Sequence, residues 1–238
     1  MSLILGPKTR VMLATMRHKW DQGEHVLITG GTGSGKTRLA YELDNIRIQR
    51  GGFVVAFMSK LQPDETITET YRGWTRWKKW HKRPTARENR ILLWPEVEGL
   101  HPVAAISRMK EVFTEALGEI GSKGKWTTHI DEGLIVTSPT FIGLGAELAM
   151  MYALQRSAKG TMITLAQRPA HLPLGIYANI AHAFVGQARE NSDLKRLADL
   201  GGPLSSRELK SRIASLGTHD FMHLDIKART ADVVNLAR

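Results

Sequence analysis

Eight consecutive residues, Gly30-Gly31-Thr32-Gly33-Ser34-Gly35-Lys36-Thr37, constrain this chain more than any other stretch of it. They fit G-x-x-x-x-G-K-[ST] without a mismatch. Before them the apolar run Val26-Leu27-Ile28 predicts a buried strand, and after them residues 36–50 predict a helix. A glycine-rich strand-to-helix turn lets successive backbone N–H groups converge on phosphate oxygens, and the new helix adds the positive end of its dipole. Lys36 would then reach the β- and γ-phosphates, while the Thr37 hydroxyl would ligate Mg²⁺. The expectation is a nucleoside triphosphate site.

The rest of the chain supplies the layers such a loop needs. Gly51-Gly52 closes the helix, and Phe53-Val54-Val55-Ala56-Phe57-Met58 predicts a second buried strand, which completes a β-α-β unit. Further strands are expected over residues 91–94, 126–132, 162–166 and 181–186. Helices are expected over 102–120 and 139–158, with a loop at 121–125 and shorter helical patches at 193–200 and 205–215. Residues 221–226 and 232–236 suggest an antiparallel hairpin. A leading helix within residues 1–22 carries Val11, Met12, Leu13, Met16 and Trp20, to pack on the domain or on a neighbouring subunit. Strands alternating with helices imply an α/β fold: a mainly parallel sheet flanked by helices, one domain over residues 1–238, with the loop at the sheet's carboxyl edge.

Two acids stand where such a site would use them. Asp131-Glu132 ends the 126–132 strand, so that Asp131 would hold Mg²⁺ through its water shell and Glu132 would polarise the attacking water. The adjacent glutamate argues for hydrolysis coupled to motion rather than for a small-molecule kinase.

Residues 59–90 break the alternation. Between Arg72 and Arg90 eight basic residues (Arg72, Arg76, Lys78, Lys79, Lys82, Arg83, Arg87 and Arg90) face only Glu88, and Tyr71, Trp74, Trp77 and Trp80 are interleaved with them. Three tryptophans at spacing three would fall along one side of a helix. Such a stretch can grip a phosphate backbone while rings stack on bases, with Trp74, Arg76, Trp77, Lys78, Lys79, Lys82 and Arg83 as the candidate DNA contacts. Alternatively, the tryptophans pack the insertion onto the domain or onto another subunit, and the lysines are solvated.

A family resemblance runs through the second half. Arg156, Gly160, the apolar run through Ala166, Gln167-Arg168-Pro169 and Ile176-Tyr177-Ala178-Asn179-Ile180 resemble, in that order, the FtsK/HerA superfamily of DNA-translocating ATPases. There a helix bearing an arginine leads into a strand ending in Thr-Gln-Arg-Pro, then an Ala-Asn segment and another strand. Gly201-Gly202 and Gly217-Thr218-His219-Asp220-Phe221-Met222 extend the likeness, which spans roughly residues 23–226. The chain departs from the pattern at Met58-Ser59-Lys60, where the family has Asp-Pro-Lys, and at Ala166, where it has threonine.

The resemblance implies a RecA-like P-loop NTPase fold, with ATP and Mg²⁺ bound and Gln167 sensing the γ-phosphate. An arginine finger, Arg156 or Arg168, would act in the next subunit's site of a ring-shaped homo-oligomer, with six subunits as the family expectation. Short chains of this kind are most similar to the genome-packaging ATPases of viruses, for which double-stranded DNA is the track and a portal or capsid protein a further partner. Two other functions fit the same residues: a conjugation or helicase motor on single-stranded DNA, and a nucleotide-gated binding module with little hydrolysis.

Composition narrows the field from outside. Lys plus Arg is 33 and Asp plus Glu is 23, a net charge of +10 that suits an acidic polymer. With no cysteine, disulfides, thiolate metal sites and thiol nucleophiles are excluded. No run approaches the roughly 18 apolar residues of a membrane span, so the expectation is a chain without an integral membrane segment, in the cytoplasm, which for a viral protein means the host cell's cytoplasm or association with the virion.

Overall fold

Five residues in a row, His25–Thr29, are buried on both faces, a condition met in the middle of a sheet covered by helices on each side. The computed structural model describes residues 4–62, 64–81, 88–200 and 202–237. In chain order the strands are β1 (Ile4–Leu5), β2 (His25–Thr29), β3 (Phe53–Phe57), β4 (Thr75–Trp77), β5 (Arg90–Leu93), β6 (Trp126–Ile130), β7 (Thr161–Ala166), β8 (Ile180–Val185), β9 (Asp220–Asp225) and β10 (Thr230–Ala237). The helices are α1 (Pro7–Lys19), α2 (Lys36–Gln49), α3 (Glu65–Thr70), α4 (Pro102–Lys123), α5 (Gly133–Thr137), α6 (Gly145–Gln155), α7 (Leu174–Tyr177), α8 (Asn191–Ala198) and α9 (Ser206–Ala214).

The sheet runs β1-β10-β9-β8-β2-β7-β6-β3-β5-β4. From β8 to β4 every neighbouring pair is parallel, whereas β8-β9, β9-β10 and β10-β1 are antiparallel. This is the expected mainly parallel sheet with its C-terminal hairpin. Alternate residues of β2 feed opposite cores. Leu27 joins the larger one with Phe113 of α4 and Tyr152 of α6; Val26 and Ile28 join the other with Leu39 of α2 and Trp20.

Three local expectations are corrected. The helix expected over 139–158 starts only at Gly145, as α6, and a short helix that was not expected, α5, precedes it. Ser138 precedes a proline and is extended (φ −68°, ψ 131°), which ends α5, and Gly143 takes a left-handed turn (φ +75°) before α6 begins. The loop expected at 121–125 is largely helix, because α4 continues to Lys123 and stops at Gly124 (φ +64°).

The third correction concerns the tryptophans, which do not share a helix. Helix α3 is capped by Asp64 and ends at Tyr71, Gly73 turns the chain, and β4 adds an edge strand beside β5. Trp74, just before β4, packs with Ile48 and Trp94 on the α2 face, while Trp77 and Trp80 pack with α4 on the other. Trp74 and Trp77 are three residues apart along the extended β4 stretch, and an odd spacing there sends their rings to opposite faces of the sheet. The three tryptophans are 9%, 5% and 4% exposed, so Trp74 and Trp77 are core residues and not stacking platforms for bases. The Trp80 indole donates to Glu119 (2.9 Å), fixing the segment to α4.

Candidate active site

The phosphate-binding loop sits at the carboxyl end of β2, between β7 and β8. Gly30 N–H donates to Ala166 (3.2 Å) and Gly186 N–H to Thr29 (2.7 Å), so the loop is held by both flanking strands. Gly33 (φ +76°) and Gly35 (φ +98°) occupy the left-handed region, which a side chain would strain. Helix α2 starts at Lys36 after Gly35 in the N-cap position, with no side-chain cap, leaving its first N–H groups for an anion. Lys36 is buried and folds back on the loop, donating to the Gly30 and Gly31 carbonyls at 2.8 and 2.9 Å. Burial depresses its pKa, and the charges of Glu132 and Asp131 oppose that shift. These are the bonds a phosphate oxygen would replace.

Both acids lie at the end of one strand, β6, as expected; β7 separates it from β2. Asp131 follows β6 and is anchored through its N–H to Phe57 O (3.2 Å). Its carboxyl is buried, which raises the pKa, against the pull of His129, Lys60 and Lys36. Glu132 is half-buried and also raised by burial, with Lys36 the chief opposing charge and the Gln167 side chain acting in the same sense. A carboxylate raised in this way is a better proton acceptor. Its Oε1 is buried without a hydrogen-bond partner among the described residues, and so is the Ser34 hydroxyl within the loop. Such orphaned polar atoms call for a partner from outside the chain.

Gln167, exposed at the end of β7, accepts a hydrogen bond from Thr32 (3.0 Å), which places it over the loop. Arg168, next along, is directed elsewhere: its Nε donates to Asp193 (2.8 Å), whose other oxygen accepts from Ala170 N–H (2.9 Å). Arg156 is exposed at the C-terminus of α6 and lies against Gly23, at the amino edge of the sheet. The loop is at the opposite edge, so Arg156 does not reach its own chain's site.

Two nearby residues were not among the candidates. His219 Nδ1 lies 3.3 Å from Ser34 O, fastening the hairpin to the loop. The charge of Lys60, after β3, acts on both Asp131 and Lys36. Neither carries a local signal, since 185 residues separate His219 from Ser34.

Of the proposed DNA contacts, Arg76, Lys78 and Lys79 are exposed, and Lys82 and Arg83 lie outside the described residues. Lys78 pairs with Glu96 (2.5 Å), and Arg76 lies over the Trp94 ring and 3.8 Å from Glu98. Among the described residues Lys79 has no acidic partner. With His81, Glu96 and Arg108 these three line a cleft of about 470 Å³.

Solved structures of low sequence identity share the overall fold. The DNA-packaging ATPase B204 of Sulfolobus turreted icosahedral virus aligns over 92% of this chain and 100% of its own, at TM-score 0.62 and 13% identity. The chain shares the fold of that ATPase. The B204 genome-packaging NTPase of Sulfolobus turreted icosahedral virus 2, solved with ATP-γ-S, aligns over 89% of this chain and 96% of its own (TM-score 0.57, 14% identity). VirB4 of Thermoanaerobacter pseudethanolicus aligns over 90% and 89% (TM-score 0.66, 10% identity). No family model and no curated protein matches the sequence. Among the described residues no helix is long and apolar enough to cross a membrane.

Proposed function

We propose that this chain is an ATPase that moves double-stranded DNA, as a genome-packaging motor does, working as a homo-oligomeric ring. The observation that carries it is the convergence of Lys36, Thr37, Asp131, Glu132 and Gln167 on one loop at the carboxyl edge of a packaging-ATPase fold. Thr37 and Asp131 fit Mg²⁺, since both offer oxygen ligands and the charge of Asp131 acts on Lys36, the residue before Thr37; the ion, when bound, would neutralise phosphate charge. The N–H groups of the loop bind the phosphates, and Lys36 exchanges its two carbonyl contacts for phosphate oxygens. Glu132 takes a proton from the attacking water, which Gln167 orients.

The position of Arg156 supports action in trans. A residue at the amino edge meets a nucleotide at the carboxyl edge only if subunits pack head to tail, and such heterologous packing makes a ring when its rotation closes. Arg168, tied to Asp193, is the weaker finger. We read the whole of residues 1–238 as one motor unit, six subunits as the expected ring, and a portal or capsid protein as its docking partner. The exposed basic residues beside β4 supply the grip on phosphates. With Trp74 and Trp77 in the core, the feature that favoured a single-stranded track is gone.

A mixing experiment tests the assembly. Arg156→Ala and Glu132→Gln proteins, each inactive alone, should recover DNA-stimulated turnover when mixed, because a wild-type arginine then meets a wild-type site. Mixtures as dead as their components would refute the trans arginine.

A further inference from the structure

Beneath the acidic pair lies a buried polar cluster that the chemistry above does not use. Asp44 comes from α2, the helix that begins at the loop; His129 comes from β6, two residues before Asp131; Tyr71 ends α3, where the basic segment starts. They are 0%, 0% and 2% exposed. His129 Nδ1 lies 2.9 Å from Asp44 Oδ2, and the Tyr71 hydroxyl lies 3.1 Å from the same nitrogen and 3.5 Å from the same oxygen. With Nδ1–H donating to Asp44, the Tyr71 O–H is left to donate to that carboxylate as well.

Polar groups buried this deeply are tolerated only when bonded to one another. Asp44 Oδ1 and His129 Nε2 have no hydrogen-bond partner among the described residues, so the contacts of Asp44 Oδ2, His129 Nδ1 and the Tyr71 hydroxyl are the polar bonds that hold these side chains, and each member depends on the other two. Helix α2 also carries Thr37, about two turns before Asp44, and β6 leads directly into Asp131. The cluster therefore fixes the spacing between the two oxygens expected to hold Mg²⁺, and Tyr71 joins the basic segment to that spacing.

We propose that Asp44, His129 and Tyr71 form a positioning triad that keeps the phosphate loop's helix and the acidic strand in register and passes displacements of the basic segment to them. This rests on the nucleotide reading above. Two quantities test it: the affinity for a slowly hydrolysed ATP analogue in Mg²⁺ compared with EDTA, and turnover with and without duplex DNA. The variants are His129→Asn, His129→Leu and Tyr71→Phe. His129→Asn restores an amide N–H near the Nδ1 position and should keep the Mg²⁺ enhancement of affinity within about twofold of wild type. His129→Leu should lower that enhancement about tenfold, as loss of outer-shell partners does. Tyr71→Phe, which removes one hydroxyl, should cut DNA stimulation about fivefold.

A merely structural cluster would lower thermal stability and leave both ratios unchanged, and that result overturns the proposal. Should His129→Leu fail to fold, Tyr71→Phe decides alone. A wild-type chain that binds no nucleotide defeats the nucleotide reading and the triad with it, whereas normal Mg²⁺-dependent binding with indifferent variants defeats the triad alone.

Discussion

The phosphate loop and the tryptophan-rich segment were equally conspicuous in the sequence, yet they differ in how much each pattern dictates. Residues 30–37 demand one backbone. Gly33 and Gly35 sit at positive φ, Lys36 must follow at a helix start, and the buried strand before them permits only one direction of approach. Trp74, Trp77 and Trp80 demand only burial or a partner, and spacing three suits a helix face as well as a turn, an edge strand and a loop. A motif that fixes φ and hydrogen bonds can be read from sequence; one that fixes only side-chain type leaves its surroundings undecided.

That contrast can be broken experimentally. The largest effect expected is on stability: Trp77→Ala should lower the unfolding free energy by about 3–5 kcal/mol in urea titrations, as removal of a large buried side chain does. Affinity of the folded variant for single-stranded DNA should stay at wild type. Were Trp77 a stacking residue, the reverse would be seen, with binding weakened by about 1–3 kcal/mol and stability intact.

Acid should act on the loop's half of the sheet. His25, at the start of β2, donates from Nε2 to Tyr152 O (3.0 Å) and accepts Met162 N–H at Nδ1 (3.1 Å), so it has no room for a second proton. Burial pushes its pKa down to about 4, and His223, stacked on Phe184, is pushed down to about 4 as well. Both folded values lie below the unfolded 6.5, so the unfolded chain binds more protons between these limits. Stability is therefore full above pH 6.5 and falls as pH drops toward 4, by on the order of 1–3 kcal/mol per histidine. Urea midpoints at pH 7.5 and 4.5 measure this, and His223→Gln should flatten the difference.

The smallest effects belong to exposed charges. Lys79→Ala should reduce the salt dependence of duplex binding by roughly one counterion, and Lys78→Ala by less, since Lys78 is already engaged with Glu96. Equal slopes for the two variants would show that the Glu96 pair opens on binding.

Much of the site was legible because each piece has a local reason. The loop and the acids at a strand end follow from hydrophobic runs that stop at polar residues, Gln167 follows from the family resemblance, and the parallel order follows from alternation. What stayed hidden depends on distant partners. Asp193 claims Arg168 across 25 residues, and His129 finds Asp44 across 85. The late start of the helix expected over 139–158 was readable in principle, since Gly143 lies inside that span at a position suited to a turn, but the apolar pattern outweighed it.

The most direct measurement is steady-state ATP hydrolysis by wild-type, Lys36→Ala and Glu132→Gln protein, with and without duplex DNA. Duplex DNA should raise wild-type turnover, and Glu132→Gln should lower it about 10²- to 10⁴-fold while still binding nucleotide. Lys36→Ala should lose binding. Negligible wild-type turnover, indifferent to DNA under conditions where the protein assembles, would contradict the motor and leave a nucleotide-gated binding module.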